Sequence, residues 1–381
     1  MIASSLLSAL ALAGSGGLSG ATHYPVEQLT APAPLAQLGI QRTRTTVGPF
    51  AVPAMVANDT SDDNGMGTFQ TFAALPCRDC FITGFSYGVR YVEANGTVSA
   101  DEANINTGMY LHHALLINLN RTDATCPPPL GGVQRMFGAG NERTYVDITN
   151  NGTHQAGYYL NKDDVVVLVA EIMNMQMGSG ARNVVVTATW DYVAASNKTA
   201  SFASAIPVWL DIDGNCGSFT NGSEVAVPAN TSVFSYSMPV PWSPDAAAAS
   251  VAVNTTNTTA TPKNYKVLVA ASHLHDGALQ LDIAKNGATI CEGVATYGQT
   301  PEYISEVPGE DMPGMPGMSM GSTELTHISS IHVCNDAGTT SSNDKWSVTA
   351  HYNLTEHQGL ETVNGQAKPI MGIGLLFLIE A

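Results

Sequence analysis

Two histidines separated by a single residue, His273 and His275, form the pattern in this sequence that most directly suggests chemistry. They follow an apolar run that begins at Val267 and predicts a β-strand. Because side chains alternate between the two faces of a strand, both imidazoles are expected on the same face. The spacing predicts a pair of metal ligands, and the alternative is two hydrogen-bonded histidines near a loop.

Further soft ligands accompany this pair. His112 and His113 are adjacent and precede the apolar run Ala114-Leu-Leu-Ile-Asn-Leu119, and several methionines lie outside regular core patterns. Adjacent residues of a regular strand point to opposite faces, so His112 and His113 can share a metal ion only at a strand end or a β-bulge. Imidazole and thioether ligands together favour copper over zinc.

A Met-rich insertion at residues 312–320 includes Met315 and Met318. Its Pro and Gly residues argue against helix or strand structure. The methionines favour a loop that captures Cu(I) for a nearby site, and the alternative is a flexible low-complexity insert. Four other histidines are interpreted as ordinary hydrogen-bonded or surface residues: His327, His332, His351 and His357.

The elements that must position these residues are β-strands. Short apolar or alternating runs, separated by Gly, Asn and Asp, recur from Gly67 onward, and no long helical period appears. The pattern predicts an all-β protein with two tandem antiparallel, jelly-roll-like β-sandwich domains. The predicted boundaries are a signal peptide at 1–21, an extended N-terminal arm or leader at 22–66, a first domain at 67–200 and a second domain, with the Met-rich insertion, at 201–381.

The composition limits the classes of partner. The formal net charge is -17 with only 15 Lys and Arg residues, which argues against nucleic acid and anionic membranes. Outside the apolar leader, no stretch reaches the roughly 20 apolar residues of a membrane span. The leader and the many Asn-x-Ser/Thr sequons predict a secreted, N-glycosylated protein.

The six cysteines form an even set in an oxidising context and predict disulfides. Cys291 and Cys334 are the favoured pair because both lie in the second half of the same predicted domain. Cys77-x-x-Cys80 is interpreted as structural, since no second close pair completes a zinc site.

The order of these motifs resembles that of the type II copper, ascorbate-dependent monooxygenases, such as peptidylglycine α-hydroxylating monooxygenase and dopamine β-monooxygenase. The resemblance rests on His112-His113-Ala-Leu-Leu116, Ser272-His-Leu-His-Asp-Gly277 and Pro369-Ile-Met-Gly-Ile-Gly374. The last two segments, with Glu171-Ile-Met-Asn-Met175, look even more like the stress-upregulated nodulin-type relatives of that fold.

This resemblance implies two copper sites. His112 and His113 would hold an electron-supplying copper in the first domain, re-reduced by ascorbate or a similar donor. His273, His275 and Met371 would hold a second copper that binds dioxygen and hydroxylates a C–H bond of a small or peptidic substrate.

The sequence departs from the family at one point. The family's first site takes a third histidine from a later strand, and the matching segment here, Val165–Met177, contains none. Met173 or Glu171 could replace it, or His154 could reach in from a loop. The alternative is a methionine-filled core beside a lost copper site.

Two other functions stay open at this point. One is a secreted copper-sequestering protein without catalysis, and the other is a carbohydrate-interaction module with vestigial histidines. The sequence contains no Gly-x-Ser-x-Gly elbow, no His-Glu-x-x-His motif and no phosphate-binding glycine loop.

Overall fold

A computed structural model describes residues 20–126, 132–178, 180–197, 201–214, 223–242, 263–307 and 323–381. The Met-rich insertion, with Met315 and Met318, lies outside these described residues, as does most of the predicted signal peptide. No helix among the described residues has the length and apolar character that a bilayer crossing requires.

The described residues form strands joined by turns, with one short helix, α1 (Ala33–Gln37), and 3₁₀ turns at Ile105–Thr107 and Pro301–Tyr303. The strands are β1 Thr22–His23, β2 Glu27–Leu29, β3 Gln41–Val52, β4 Met66–Phe72, β5 Cys80–Val92, β6 Val98–Glu102, β7 Met109–Asn118, β8 Gln134–Ala139, β9 Val146–Asp147, β10 Ala156–Leu160, β11 Val166–Asn174, β12 Arg182–Ala194, β13 Ala203–Ser204, β14 Ile206–Asp211, β15 Glu224–Val225, β16 Val233–Val240, β17 Asn264–Leu274, β18 Ala278–Lys285, β19 Ala288–Tyr297, β20 Ile304–Val307, β21 Thr323–Thr326, β22 Ile328–Ile331, β23 Cys334–Asn335, β24 Thr339–Ser341, β25 Trp346–Asn353 and β26 Ile370–Glu380. The predicted all-β class is confirmed.

Four larger sheets and one hairpin account for these strands. The first sheet has the order β1-β3-β12-β5-β10-β13, and the second has the order β4-β11-β7-β8. The third runs β14-β26-β17-β23, the fourth runs β16-β25-β18-β19-β22, and β20 pairs with β21. The first two sheets use residues 22–204 and the others use residues 206–380. Two halves of the chain therefore build separate sheets, and the exact domain boundaries stay a prediction.

The N-terminal segment contributes more than the extended arm expected from its sequence. Strand β3 pairs with β12 from Gln41 to Val52, inside the first sheet. Its side chains alternate between buried and partly exposed positions, and Thr43 and Thr45 are among the buried ones. Because the inward residues at this end are threonines rather than aliphatic residues, the sequence lacks the apolar alternation that would identify a strand.

The third sheet is buried on both faces. Along β26, Met371, Ile373 and Leu375 belong to the core shared with the first half of the chain. Leu376 and Leu378, on the opposite face of the strand, belong to the core of the second half. Strands covered on both sides need apolar residues at consecutive positions, which explains the unbroken apolar run of β26.

Two disulfides join described cysteines, Cys77 to Cys80 and Cys291 to Cys334. The predicted Cys291–Cys334 pairing is confirmed. The Cys77-x-x-Cys80 motif is likewise a disulfide and forms no metal site.

Candidate metal centre

A β-bulge lets the two adjacent histidines share one region. In the pairing of β7 with β11, Glu171 lies opposite His113 and Ile172 lies opposite Leu111. His112 is therefore the extra residue of β7, and the regular alternation of faces is interrupted there. The two imidazole rings lie with their centroids 4.0 Å apart. The bulge fulfils the condition under which adjacent histidines can bind the same ion.

The second pair comes from the end of β17. Pairing of β17 with β26 places His273 opposite Ile373 and Leu274 opposite Gly372. His275 directly follows the last residue of β17, and its Nδ1 atom lies 2.9 Å from the carbonyl oxygen of Pro369, just before β26. Strand β15 continues the layer, because Glu224 pairs with Met371.

The structure brings both pairs into one cluster. The Nε2 atoms of His113 and His275 lie 3.1 Å apart. His112, His113 and His275 each offer a ligand atom within 4.8 Å of the others. The His273 ring lies 5.2 Å from that of His113, measured between centroids. The two separate groups expected from the sequence are thus neighbours at the interface of the two halves.

Each of three histidines has its Nδ1 atom held by an acceptor. His113 donates to Glu171 at 2.7 Å, and His275 donates to the carbonyl oxygen of Pro369 at 2.9 Å. His273 Nδ1 lies 3.1 Å from both carboxylate oxygens of Glu142. This is the usual support of metal-binding histidines, since a fixed Nδ1–H leaves the Nε2 lone pair for the ion.

The facing Nε2 atoms of His113 and His275 require a positive charge between them. The carbonyl oxygen of Pro369 can only accept a hydrogen bond, so His275 carries a proton on Nδ1. The ionised Glu171 also only accepts, so His113 carries a proton on Nδ1 as well. Two neutral rings would then oppose two lone pairs at 3.1 Å. One proton can bridge them, and a metal ion can take its place. The donor set therefore fits a cation that imidazoles bind.

A second observation supports this fit. The Nε2 atom of His273 is buried and has no hydrogen-bond partner within the described part of the chain. An unpaired buried nitrogen carries a desolvation cost that a metal ion would remove.

The electrostatics keep two of the rings neutral. Burial, followed by the neighbouring His113, lowers the pKa of His112 to about 3. Burial and the nearby histidines also hold the pKa of His275 well below its ordinary value. Burial opposes the charge on His113 as well, but hydrogen bonding to Glu171 prevails and raises its pKa. Neutral imidazole is the form that binds metals.

Met371 and the cluster line the same cavity. This space of about 340 Å³ is lined by His112, His113, His273 and Met371, among others. Both backbone groups of Met371 contact the Tyr352 hydroxyl, which donates to the carbonyl at 2.6 Å and accepts from the amide at 3.3 Å. These bonds fix the Met371 backbone, and its side chain lines the histidine cavity as a candidate soft ligand.

A buried polar chain holds the loop after His275. Asp276 accepts from His327 Nδ1 at 2.7 Å and from the Ile328 amide at 2.8 Å. His327 Nε2 lies 2.8 Å from the Ser305 hydroxyl, on β20. His327 is hydrogen-bonded as expected, and its partner Asp276 directly follows the candidate ligand His275.

Two predicted substitutes for the missing histidine lie elsewhere. Met173 is fully buried in a small apolar cluster with Ile105, Tyr110 and Leu360. His154 Nε2 lies 2.6 Å from Asp336 Oδ1, in a surface ion pair. Glu171 does reach the cluster, although it contacts Nδ1 atoms rather than the Nε2 side.

Sequence reasoning missed the residues that support the histidines. Glu142 and Glu224 belong to no recognisable sequence motif. Glu142 also lies 131 positions from His273, so no local pattern links the two residues. Gly140 was also overlooked: a Cβ atom there would lie 2.2 Å from the His273 ring. The small residues of Gly138-Ala-Gly140 were the available signal, because glycine often marks a close approach.

Two curated proteins are similar to this chain. It is 30% identical over 334 residues to "Probable copper-dependent oxygenase M1" of a Phoma species, which covers 87% of this chain and 71% of the relative. It is also 30% identical over 287 residues to "Probable copper-dependent oxygenase clz3" of Cochliobolus lunatus, covering 75% of this chain and 76% of that protein. No family model matches the sequence.

Proposed function

Because this chain belongs to the family of probable copper-dependent oxygenases, we propose that its histidine cluster binds copper and that it oxidises a C–H bond with dioxygen. The proposal is carried by the 3.1 Å distance between the Nε2 atoms of His113 and His275. The Nδ1 atom of each ring already donates a hydrogen bond, so each Nε2 atom presents a lone pair.

We propose His113, His273 and His275 as ligands through Nε2, with His112 and Met371 completing the set. When bound, copper would supply the one-electron steps that activate dioxygen. Glu142, Glu171 and the Pro369 carbonyl hold the Nδ1 protons and so fix the ring orientations. The buried cavity beside the cluster orients the substrate and keeps bulk water from the reacting atoms.

The proposed reaction is a monooxygenation. One oxygen atom of O₂ enters the C–H bond to form an alcohol, and the other leaves as water with two protons. The two electrons required come from ascorbate or a similar reductant, as in the monooxygenases that the motifs resemble. We also propose that the protein is secreted and N-glycosylated, because its sequence has a predicted signal peptide and many Asn-x-Ser/Thr sequons.

The test combines metal analysis with oxygen consumption. Purified protein is loaded with copper, and its copper content is measured by mass spectrometry beside His275→Ala and the control His357→Ala. His357 is stacked on Tyr297 instead of facing the cluster. We expect His275→Ala to lose bound copper and reductant-dependent oxygen uptake, while His357→Ala retains both. Stable copper without oxygen uptake by any reductant would instead favour sequestration, and unchanged copper in His275→Ala would contradict the assigned ligands.

A further inference from the structure

One wall of the cavity beside the histidine cluster contains none of the proposed copper ligands. The wall residues are apolar and come from both halves of the chain: Leu115, Val146, Val169, Trp209, Ile373 and Leu375. At roughly 30 Å³ for a water-sized group, a volume of about 340 Å³ holds about eleven such groups. That is enough for a medium-length hydrocarbon segment.

Trp209 forms a rigid part of this wall. Its indole is stacked under the Arg135 guanidinium, 5.3 Å from the ring centroid. Its carbonyl accepts from the Thr125 hydroxyl at 2.8 Å. A Cβ atom at Gly138 would lie 2.9 Å from the Trp209 ring, so only glycine permits this approach. A flat apolar surface held in this way is suited to shape recognition.

The charges around the cavity are already compensated. Arg135 is paired with the buried Asp123 through Nε and Nη2. Lys368 donates to the Asp62 carbonyl, and burial lowers its pKa although acidic neighbours oppose that change. These are the two Lys or Arg residues that line the cavity. An anionic ligand would therefore compete with Asp123 for Arg135, and with the neighbouring Asp62, Asp63 and Glu224 for Lys368.

Three of the five carboxylates of the lining lie among the histidines. Glu171 and Glu142 accept from the histidines. Glu224 Oε1 lies 3.5 Å from His112 Nε2. Asp62 and Asp63, the remaining carboxylates of the lining, are exposed to solvent. A charged amine buried against Trp209 and Leu375 would lose its hydration among apolar side chains.

From this lining we propose that the cavity binds an uncharged molecule through an alkyl-like apolar segment lying against Trp209 and Leu375. The oxidation of that segment rests on the proposed function, but its binding does not require copper. Burial of apolar surface is the driving force, so affinity grows with chain length until the cavity is full.

The register of β26 supplies a matched pair of variants. Leu375 lines the cavity, whereas Leu376 lies on the opposite face in the core of the second half. Both are buried leucines of the same strand, so Leu375→Ala and Leu376→Ala both remove core packing. Only Leu375→Ala lengthens the cavity.

The experiment is calorimetric titration of the full-length, copper-free protein with straight-chain alcohols, and with decanoate and decylamine as charged probes. We expect saturable binding of decan-1-ol, at least tenfold tighter than either charged probe. The ratio of the dodecan-1-ol to octan-1-ol affinities should rise at least threefold in Leu375→Ala and stay unchanged in Leu376→Ala. If Leu375→Ala does not fold, Trp209→Phe is the second variant, with the same expected direction.

Absence of saturable alcohol binding, tighter binding of a charged probe, or equal ratios in the two leucine variants would overturn the inference. Copper content measured on the same preparations separates the two proposals. Alcohol binding without copper binding would refute the proposed function alone, and copper binding without alcohol binding would refute the apolar site alone.

Discussion

At the scale of single residues, the centre is defined by pairs of carboxylate and imidazole. Glu142 is buried and accepts from His273, and Glu171 is shared by His112 and His113. Burial alone would raise the pKa of Glu142, but His273 and nearby hydrogen bonds lower it. The ionised carboxylate then fixes the ring tautomer that presents Nε2 to the cavity.

Glu142→Gln should weaken copper binding 10- to 100-fold, the usual effect of losing an outer-shell acceptor. The amide retains the size of the side chain but can no longer accept in charged form. Competition titration against a copper chelator measures the effect. The control is Glu292→Gln, which alters an exposed glutamate of β19. Equal affinities of the two variants would mean that Glu142 does not orient His273.

A different buried pair controls acid stability. Burial alone would raise the pKa of Asp123, but Arg135 at 3.0 Å and two backbone amides lower it. A carboxyl whose pKa is lowered on folding stabilises the protein above its unfolded pKa of about 3.9, and this stability is lost as the pH falls further.

We therefore expect Asp123→Asn to lower the free energy of unfolding by about 3–5 kcal/mol at pH 7, because Arg135 loses its buried partner. The deficit should shrink as the pH falls below about 4, where the carboxyl of the unfolded chain is protonated first and that of the folded protein follows at its lower pKa. Urea denaturation of both proteins at pH 7, 4 and 3 measures it. A deficit that stays constant over this range would argue against the ion pair as its source.

At the scale of elements, the loop after His275 depends on a hairpin distant in sequence. Asp276 is held by His327, and His327 contacts Ser305 on β20. The same residue types recur at His351, which contacts Ser235 and Asp282 on the partly exposed face of the fourth sheet. Only the first of these trios adjoins a candidate ligand, so the second is a natural control.

His327→Ala should lower copper affinity 10- to 100-fold and increase amide hydrogen exchange at residues 275–277, because Asp276 loses its buried partner. His351→Ala should leave both quantities unchanged. Chelator competition and exchange mass spectrometry provide the two measurements. Loss of affinity in His351→Ala to the same degree would indicate general destabilisation instead of a local role.

The sequence allowed much of this element structure to be predicted. Alternating and unbroken apolar runs gave the all-β class, and the spacing of His273 and His275 gave a candidate pair. The β3 strand was missed because its inward residues include Thr43 and Thr45. His113 and His275 are 162 positions apart in the sequence. No local sequence pattern predicts how the two halves of the chain pack against each other. The single shared cluster could therefore be recognised only in three dimensions.

At the scale of the whole molecule, the centre lies where the halves meet. Its histidines come from β7 in the first half and from β17 and the loop after it in the second. Phe137 and Phe377 continue the contact between the halves, with ring centroids 5.3 Å apart. A bound ion would link the halves directly, so binding and folding should be coupled.

Copper at 100 times its dissociation constant should therefore raise the free energy of unfolding by about 2.7 kcal/mol. Thermal and denaturant unfolding with and without copper give this difference. His113→Ala, which removes a first-half ligand, should abolish the increase. The same increase in His113→Ala would show that the ion is held by the second half alone.

The bulge at His112 has a consequence for anyone who wishes to transplant this centre into a designed barrel or sandwich. Two consecutive histidines on an ideal strand would point to opposite faces of the sheet. A design must therefore also include the β-bulge and Glu171, the hydrogen-bond partner of His113. Removing one residue from β7 would conversely restore ideal pairing and dismantle the centre without altering any remaining ligand.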